Sequence, residues 1–432
     1  MAEWLCPFWS PSVGKRHPIY KGRILSPRRA VTQVIGILHR AGHEALLAGG
    51  CVRDMLLGQT PHDYDVATNA TPETITTLFP NTITVGAQFG VVVVLFGGRQ
   101  IEVATFRSDG QYHDGRRPSD VVFTDVRNDA IRRDFTINGM FYDLPQQRVV
   151  DYVGGQKDLQ KKVIRAIGDP VDRFAEDHLR MLRAIRFACR LEFEIEPKTY
   201  QAICRHAARI ERVSPERIMM EMEKILVDAR RGRGLRLAFD AKLLECVFPK
   251  LPAPMLIAGM DVLEQLPQRC SFALALAALL IDAGGKQAGN LCRHLKASND
   301  LRRQVQWLVE HQRSLLEAGP LTRGRLKKWL AEPLFDPLMQ LCRCYLKATA
   351  QSLSPLHRLR RQIRELGDDP IIPPRLLDGH DLIRLGAQPG PTVGQLAEDL
   401  YMAQLENHVR TKPQAQTWAS QWLDHHRRRD DA

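Results

Sequence analysis

Asp63 and Asp65, separated by one residue, are the pair whose type and spacing most directly offer chemistry in this chain. On an extended segment, side chains at i and i+2 point to the same side. Two carboxylates held that close repel each other unless cations neutralise them, and their hard oxygens suit Mg²⁺. Alone, a D-x-D stretch is more often a solvated turn. Here it follows Gly49-Gly50-Cys51-Val52-Arg53-Asp54, with Asp63 nine residues after Asp54. A Gly-Gly pair at a helix N-terminus lets backbone amides approach a phosphate closely. Glycines, a helix and D-x-D on a strand together put metal and triphosphate in one cleft, as in-line phosphoryl transfer requires. Glu102 is the candidate third acid, on a neighbouring strand. An exposed strand residue is its equally natural alternative.

A second set lies further along. In Arg132-Arg133-Asp134-Phe135-Thr136-Ile137-Asn138 the apolar Phe135 and Ile137 are anchors. The arginines and Asn138 can bond phosphate or sugar hydroxyls. The plain alternative is the start of an amphipathic helix. The segment Phe174–Phe187 reads as helix and carries Asp177, Arg180, Arg183 and Arg186. Asp177 and Arg180 are i, i+3 neighbours, which allows a helical ion pair. They also allow base reading. Cytosine and adenine both present an amino donor beside a ring-nitrogen acceptor, which a carboxylate and a guanidinium complement; uracil and guanine invert that pattern.

These residues need a scaffold, and the pattern around them supplies one. Arg29–Ala41 has helical spacing and stops at Gly42. Ala45–Ala48 reads as a buried strand, Val52–Leu57 as a short helix and Asp63–Val66 as extended. Ile83–Phe96, with its Val91–Val94 run, and Ile101–Phe106 read as strands. This predicts a small mixed sheet with helices up to about Tyr152. The polar, glycine-containing stretch Arg107–Phe123 predicts a mobile loop beside the site. Beyond Gly154-Gly155, Phe174–Leu191, Pro197–Ile210 and Pro215–Leu226 are helical, and helical segments continue to the C-terminus. The fold class is therefore α+β, an α+β head followed by an all-helical body.

Bulk properties narrow the partner. Among 432 residues, 61 Lys and Arg against 49 Asp and Glu give a net charge of +12, which favours a polyanion such as nucleic acid. The longest apolar run, Phe272–Ile281, is too short to span a bilayer, so no membrane association is expected. Nine cysteines without a CxxC pair suit a reducing compartment, and the cytoplasm is the expected location. No acid occurs between Trp4 and His43, where six Lys or Arg precede Ala30. Residues 1–28 read as a disordered basic arm. Oligomeric state leaves no mark.

Taken together, GGCVRD at 49–54, DYD at 63–65, RRDFTING at 132–139, EDHLRMLRAIRF at 176–187 and SPERIMMEMEKIL at 214–226 resemble the class II tRNA nucleotidyltransferases (CCA-adding enzymes) and bacterial poly(A) polymerases. The resemblance covers about Ala30–Leu251. Gly139 departs from the family's usual Ala, and His178 from its common Pro. The resemblance implies a polymerase-beta-like nucleotidyltransferase palm head over 29–152, a helical neck with base recognition over 153–250, and a helical body and tail that bind RNA over 251–432. It implies that Asp63 and Asp65 hold two Mg²⁺ ions and that Gly49, Gly50 and Arg53 lie along the triphosphate. Arg133 and Asp134 would shape the nucleotide site, with Asn138, Arg183 and Arg186 beside them. Asp177 and Arg180 would read the base. Glu216, Arg217 and Glu221 would brace the neck. Expected partners are tRNA or another RNA 3′ end, CTP and ATP.

Within that family, Val85-Gly86-Ala87-Gln88-Phe89-Gly90 lacks the Gly-Arg-Arg/Lys-Phe stretch usual in poly(A) polymerases. Tyr112–Pro118 resembles the loop of enzymes that switch from C to A. CCA addition is the expectation. Poly(A) or A-only addition is the alternative, and a catalytically inactive RNA-binding protein the second. Leu280-Ile281-Asp282 stands where an appended phosphohydrolase would carry Leu-His-Asp, so no hydrolase activity is expected.

Overall fold

A computed structural model of the chain describes residues 24–84, 89–109 and 121–430. The expectations for residues 1–23, for Val85–Gln88 and for Tyr112–Pro118 lie outside them. The rest of the arm expected to be disordered over 1–28 departs from that expectation, because the Leu25 N–H donates to the Gly97 carbonyl at 3.0 Å and Pro27 and Arg28 open the first helix. The chain divides into two compact units. One runs to Ala253 and takes in Leu291–Ala297; the other comprises Pro254–Asn290 and the residues from Ser298 onward.

In the first unit, α1 (Pro27–Arg40) starts where the Ser26 hydroxyl accepts the Arg29 N–H and proline occupies the first turn. Its face of Ala30, Val31, Val34, Ile35 and Leu38 is buried. There follow β1 (Ala45–Ala48), α2 (Gly50–Leu56), β2 (Asp65–Thr68), α3 (Pro72–Leu78), β3 (Thr82–Ile83), β4 (Val91–Phe96) and β5 (Arg99–Thr105). Then come β6 (Arg107–Asp109), β7 (Val121–Phe123), α4 (Val126–Ile131), a 3₁₀ turn at Thr136–Asn138, β8 (Phe141–Asp143) and β9 (Arg148–Val150).

Seven strands form one sheet in the order β3-β4-β5-β2-β1-β8-β9. Two pairings decide the site. β1 and β2 are antiparallel with Ala48 opposite Asp65, so Gly49, which leaves β1, lies where β2 begins. β2 and β5 are parallel with Val66 opposite Val103, which brings Asp65 and Glu102 to neighbouring positions on the same face. Beneath the sheet, Leu46, Ala48, Ala67, Phe106, Val126, Ala130 and Phe141 form a buried cluster, and Phe106 meets Phe141 edge-on.

The stretch Arg107–Phe123 is not simply a loop. Its two ends pair as the antiparallel ribbon β6–β7, Arg107 opposite Phe123 and Asp109 opposite Val121.

Past the sheet lie α5 (Gly155–Lys161), β10 (Val163–Ile164), α6 (Pro170–Glu176), α7 (Arg180–Leu191), β11 (Glu194–Ile195), α8 (Pro197–His206), α9 (Pro215–Leu226), α10 (Arg231–Asp240) and α11 (Leu243–Val247). The continuous helix expected over Phe174–Leu191 is two helices. Asp177 breaks it in extended geometry (φ −149°, ψ 104°), and its carboxylate accepts the Leu179 N–H at 3.1 Å. An Asp side chain that bonds the backbone two residues on competes with the helical ladder, and here it wins. The parallel pair β10–β11 was not expected from the sequence; each strand is two residues long.

From Ala253 the described residues form helices and 3₁₀ turns and no strand. None of these helices is long and apolar enough to cross a membrane. Near the C-terminus a cluster of Leu377, Leu382, Leu396, Leu400, Ala415 and Ala419, with Trp418 and Trp422 packed on it, is the core of the last helices.

Candidate active site

The acid end of the sheet comes first. Asp63 is exposed just before β2, and Asp65, at the first position of β2, is half-buried. Glu102 points into the same region. Burial pushes its carboxyl up to about 7, and repulsion from Asp65 and then Asp63 adds to the rise. The Glu102 Oε2 atom is buried and has no hydrogen-bond partner among the described residues. A buried carboxylate oxygen without a donor, beside two further acids, fits a site for a hard divalent cation. Among the described residues no three His, Cys, Asp or Glu side chains are gathered tightly enough to hold an ion alone. Mg²⁺ ordinarily takes one or two carboxylates and completes its shell with water and substrate phosphates.

Gly49 sits at the turn from β1 into α2 with φ +72°, a conformation that favours glycine. A Cβ there would stand 3.1 Å from Arg133 Nη1. Its own N–H donates to the Met140 carbonyl at 3.2 Å, so this amide is used internally and does not face a phosphate. Arg53, 3% exposed, donates Nε and Nη2 to Asp54 Oδ1 (2.8 and 2.7 Å) and Nη1 to Asn138 Oδ1 (2.7 Å). The 3₁₀ turn that carries Asn138 is thereby tied to α2.

Around this, charges are matched pairwise. Asp129, buried on α4, accepts from Arg132 (2.6 Å) and Arg133 (2.8 Å). Burial alone would raise its carboxyl; the two guanidiniums overcome that and hold it below the usual range. Asp134 Oδ2 accepts from Arg183 Nε and Nη2 at 2.9 and 2.7 Å, while its Oδ1 accepts from Asn138 Nδ2 at 3.2 Å. Burial opposes the Asp134 charge, yet Arg183 and then Arg180 hold the carboxyl down at about 2. Arg186 donates to Glu221 Oε2 at 2.6 Å, and Arg183 Nη1 stands 3.9 Å from Glu221 Oε1. The Phe187 ring lies under three guanidiniums, Arg186 at 4.2 Å, Arg53 at 5.3 Å and Arg183 at 5.4 Å from its centre.

Asp177 and Arg180 differ from the helical ion pair that their spacing allows. Asp177, with no exposed surface, accepts at Oδ2 from Arg217 Nη2 of α9 at 2.9 Å. Arg180, 4% exposed, donates to Glu176 Oε2 at 2.6 Å and to the Arg173 carbonyl at 3.0 Å. His178 between them donates Nδ1–H to the Phe174 carbonyl at 2.6 Å, and burial lowers its basicity. At Gly139, a Cβ would fall 2.7 Å from Val153 Cγ2 and 2.9 Å from Ile167 Cδ1, which accounts for the absence of a side chain there in this chain.

All the expected site residues except the two acids, Glu102 and Gly49-Gly50 thus take part in this paired set. Reading the residues singly missed Asp129 and Glu176. Their signal was an acid three or four residues before an arginine, Asp129 ahead of Arg132 and Arg133 at α4 and Glu176 ahead of Arg180 across the break between α6 and α7. Glu216, by contrast, pairs with Lys296 at 3.0 Å, both partly exposed.

The chain matches a family model described as the poly A polymerase head domain over residues 45–165. It matches a second, the probable RNA and SrmB-binding site of polymerase A, over residues 192–253. It is 33% identical over 393 residues to the CCA-adding enzyme of Streptococcus suis, covering 87% of this chain and 92% of that one. With the CCA-adding enzyme of Bacillus subtilis it shares 43% identity over 220 residues, 51% of this chain and 54% of the relative. Among solved structures, the Bacillus stearothermophilus CCA-adding enzyme in complex with CTP superposes with a TM-score of 0.73 at 27% identity, covering 94% of this chain and 99% of that one.

Proposed function

Because this chain belongs to the family of CCA-adding enzymes, we infer that it is a metal-dependent nucleotidyltransferase that adds C, C and A to the 3′ end of tRNA from CTP and ATP. The observation that carries this is similarity along nearly the whole length of a CCA-adding enzyme, not of the head alone. The head fold supports it by gathering Gly49, Asp65 and Glu102 at one end of the sheet.

We assign Asp63 and Asp65 the binding of two Mg²⁺ ions, with Glu102 as a third acid; the unpartnered Glu102 oxygen supports this. When bound, such ions lower the pKa of the attacking RNA 3′-hydroxyl and offset charge on the departing pyrophosphate. Gly49 and Gly50 shape the turn that admits the triphosphate. Arg53, held by Asp54 and Asn138, Arg133 by Asp129, Arg183 by Asp134 and Arg186 by Glu221 form its cationic wall. Asp177 accepts from the amino group of cytosine or adenine, and Arg180 donates to the adjacent ring nitrogen. Both are buried, so a base reaches them only as neighbouring side chains give way. In this reading 29–152 is the catalytic head, 153–250 the neck that reads the base and 251–432 the body and tail that hold RNA. The free cysteines support a reducing, cytoplasmic setting.

The test uses tRNA lacking its terminus, Mg²⁺ and each nucleotide separately. Addition of C from CTP, followed by a single A from ATP, is the expected result. Long A-tails with no C incorporation would make the chain a poly(A) polymerase instead. Asp177→Ala and Arg180→Ala should each degrade discrimination against UTP and GTP more than they lower thermal stability. Unchanged selectivity in a folded variant would leave these residues a purely structural part.

A further inference from the structure

We propose that Arg217 of α9 orients the Asp177 carboxylate for base reading, and is thereby a specificity-determining positioning residue. This rests on the base-reading role assigned above to Asp177 and Arg180.

Asp177 sits at the break between α6 and α7; its N–H reaches the Arg173 carbonyl at 3.5 Å and its carbonyl accepts the Arg180 N–H at 3.1 Å. Its extended backbone nevertheless leaves the helical path, so no helical packing sets its side chain. Two donors fix its carboxylate instead. Leu179 N–H holds Oδ1 at 3.1 Å from the start of α7, and Arg217 Nη2 holds Oδ2 at 2.9 Å from an element 40 residues away. With one donor on each oxygen the plane of the carboxylate is set. A carboxylate has about four lone-pair positions, so acceptor capacity remains for a base amino group while both donors stay in place. Arg180 is held differently, by Glu176 and the Arg173 carbonyl at the end of its own helix pair. The tie from α9 therefore acts on the acceptor half of the reader.

Arg217 also stands apart from the cationic wall. Arg183 and Arg186 are engaged by Asp134 and Glu221, whereas Arg217 is engaged by Asp177. Loss of Arg217 should thus disturb the choice of base more than the grip on the triphosphate. Discrimination that depends on hydrogen bonds is steep in geometry, because a misdirected acceptor leaves a polar group unpaired against the right base as well as the wrong one.

Full-length Arg217→Met and Arg217→Lys proteins are assayed with tRNA lacking CCA, taking kcat and KM for CTP and for UTP, alongside thermal melting. The expected result for Arg217→Met is a fall of at least about tenfold in the CTP-to-UTP ratio of kcat/KM. Lysine restores charge without the planar fork, so Arg217→Lys should recover part of that ratio. An unchanged ratio in both, with losses only in melting temperature or shared equally by the two nucleotides, overturns the proposal. If Arg217→Met does not fold, Arg217→Lys decides: reduced selectivity supports the proposal and wild-type selectivity overturns it. Asp177→Asn run in parallel separates the two layers. If it keeps selectivity, the base-reading role itself falls; if it loses selectivity while the Arg217 variants keep theirs, only the role of Arg217 falls.

Discussion

At the acid end of the head sheet, Asp63 is open to solvent and the Glu102 Oε2 atom is buried with no partner among the described residues, whereas at the α6–α7 junction Asp177, Arg180, Arg183 and Arg186 each face an opposite charge. The proposed function assigns both regions to one reaction, yet they treat charge in opposite ways. Acids that repel one another are unfavourable together until a cation arrives, which suits that end to the proposed ion binding. A matched set gains little net stability from its buried pairs, but it fixes side chains in one arrangement. The difference teaches a division of labour. In the proposed function one region would await the ions that assist transfer, while the other has its charges matched before any nucleotide enters.

Removing the acids breaks the first half of that comparison and should have the largest effect. Asp63→Ala with Asp65→Ala is expected to lower incorporation at least about a thousandfold, since ion binding and charge stabilisation go together. Binding of tRNA, followed by gel shift, should remain. The variant should also keep its melting temperature or raise it, because repulsion with Glu102 is relieved. Loss of tRNA binding, or a collapse of stability, would mean the acids hold the head together and do not wait for ions.

The second half breaks at Asp134. Its carboxyl is held at about 2 against an ordinary 3.8. A depressed folded-state value contributes stability that is fully present above the ordinary value and is lost as pH falls through about 2. The shift corresponds to about 2 kcal/mol. Asp134→Asn should therefore be less stable than the wild type by roughly this amount at pH 7 by urea denaturation, and the gap should close on acidification from pH 4 towards 2. A gap that stays constant with pH would assign the cost to packing around Arg183 rather than to charge.

How much of this could be read from residues alone follows the same division. The acid end rests on local spacing: a two-residue repeat on a strand, and glycines where the chain turns. The strand Ala45–Ala48 was legible to its ends, because four small or aliphatic residues bounded by turn signals leave one reading. The junction was less legible. Asp177 and Arg180 stood out by type, but their partners depend on where the helix breaks and on Arg217, 40 residues on. Helical periodicity continues straight through Asp177, and only the competing bond to Leu179 N–H reveals the break. The strands β8 to β11, two or three residues long, are too short to carry an alternation, so pairing partners rather than propensity create them.

The smallest effect concerns packing where charge plays no part. Gly139 closes the 3₁₀ turn that presents Asn138 to Arg53 and Asp134. Its backbone is ordinary (φ −90°), so glycine is required here for space and not for conformation. In Gly139→Ala the new methyl would overlap Val153 Cγ2 and Ile167 Cδ1. The isoleucine tip can swing aside, but the valine is stiff at χ1 and must shift as a whole. The expected cost is about 1 kcal/mol of stability. Val153→Ala would vacate the space the methyl needs, so the double variant should lose less than the sum of the two single changes. If instead the two losses simply add, Val153 is not what excludes the side chain. The turn would then be anchored by its ties to Arg53 and Asp134, and the matched-charge region would hold its shape without help from the packing beneath it.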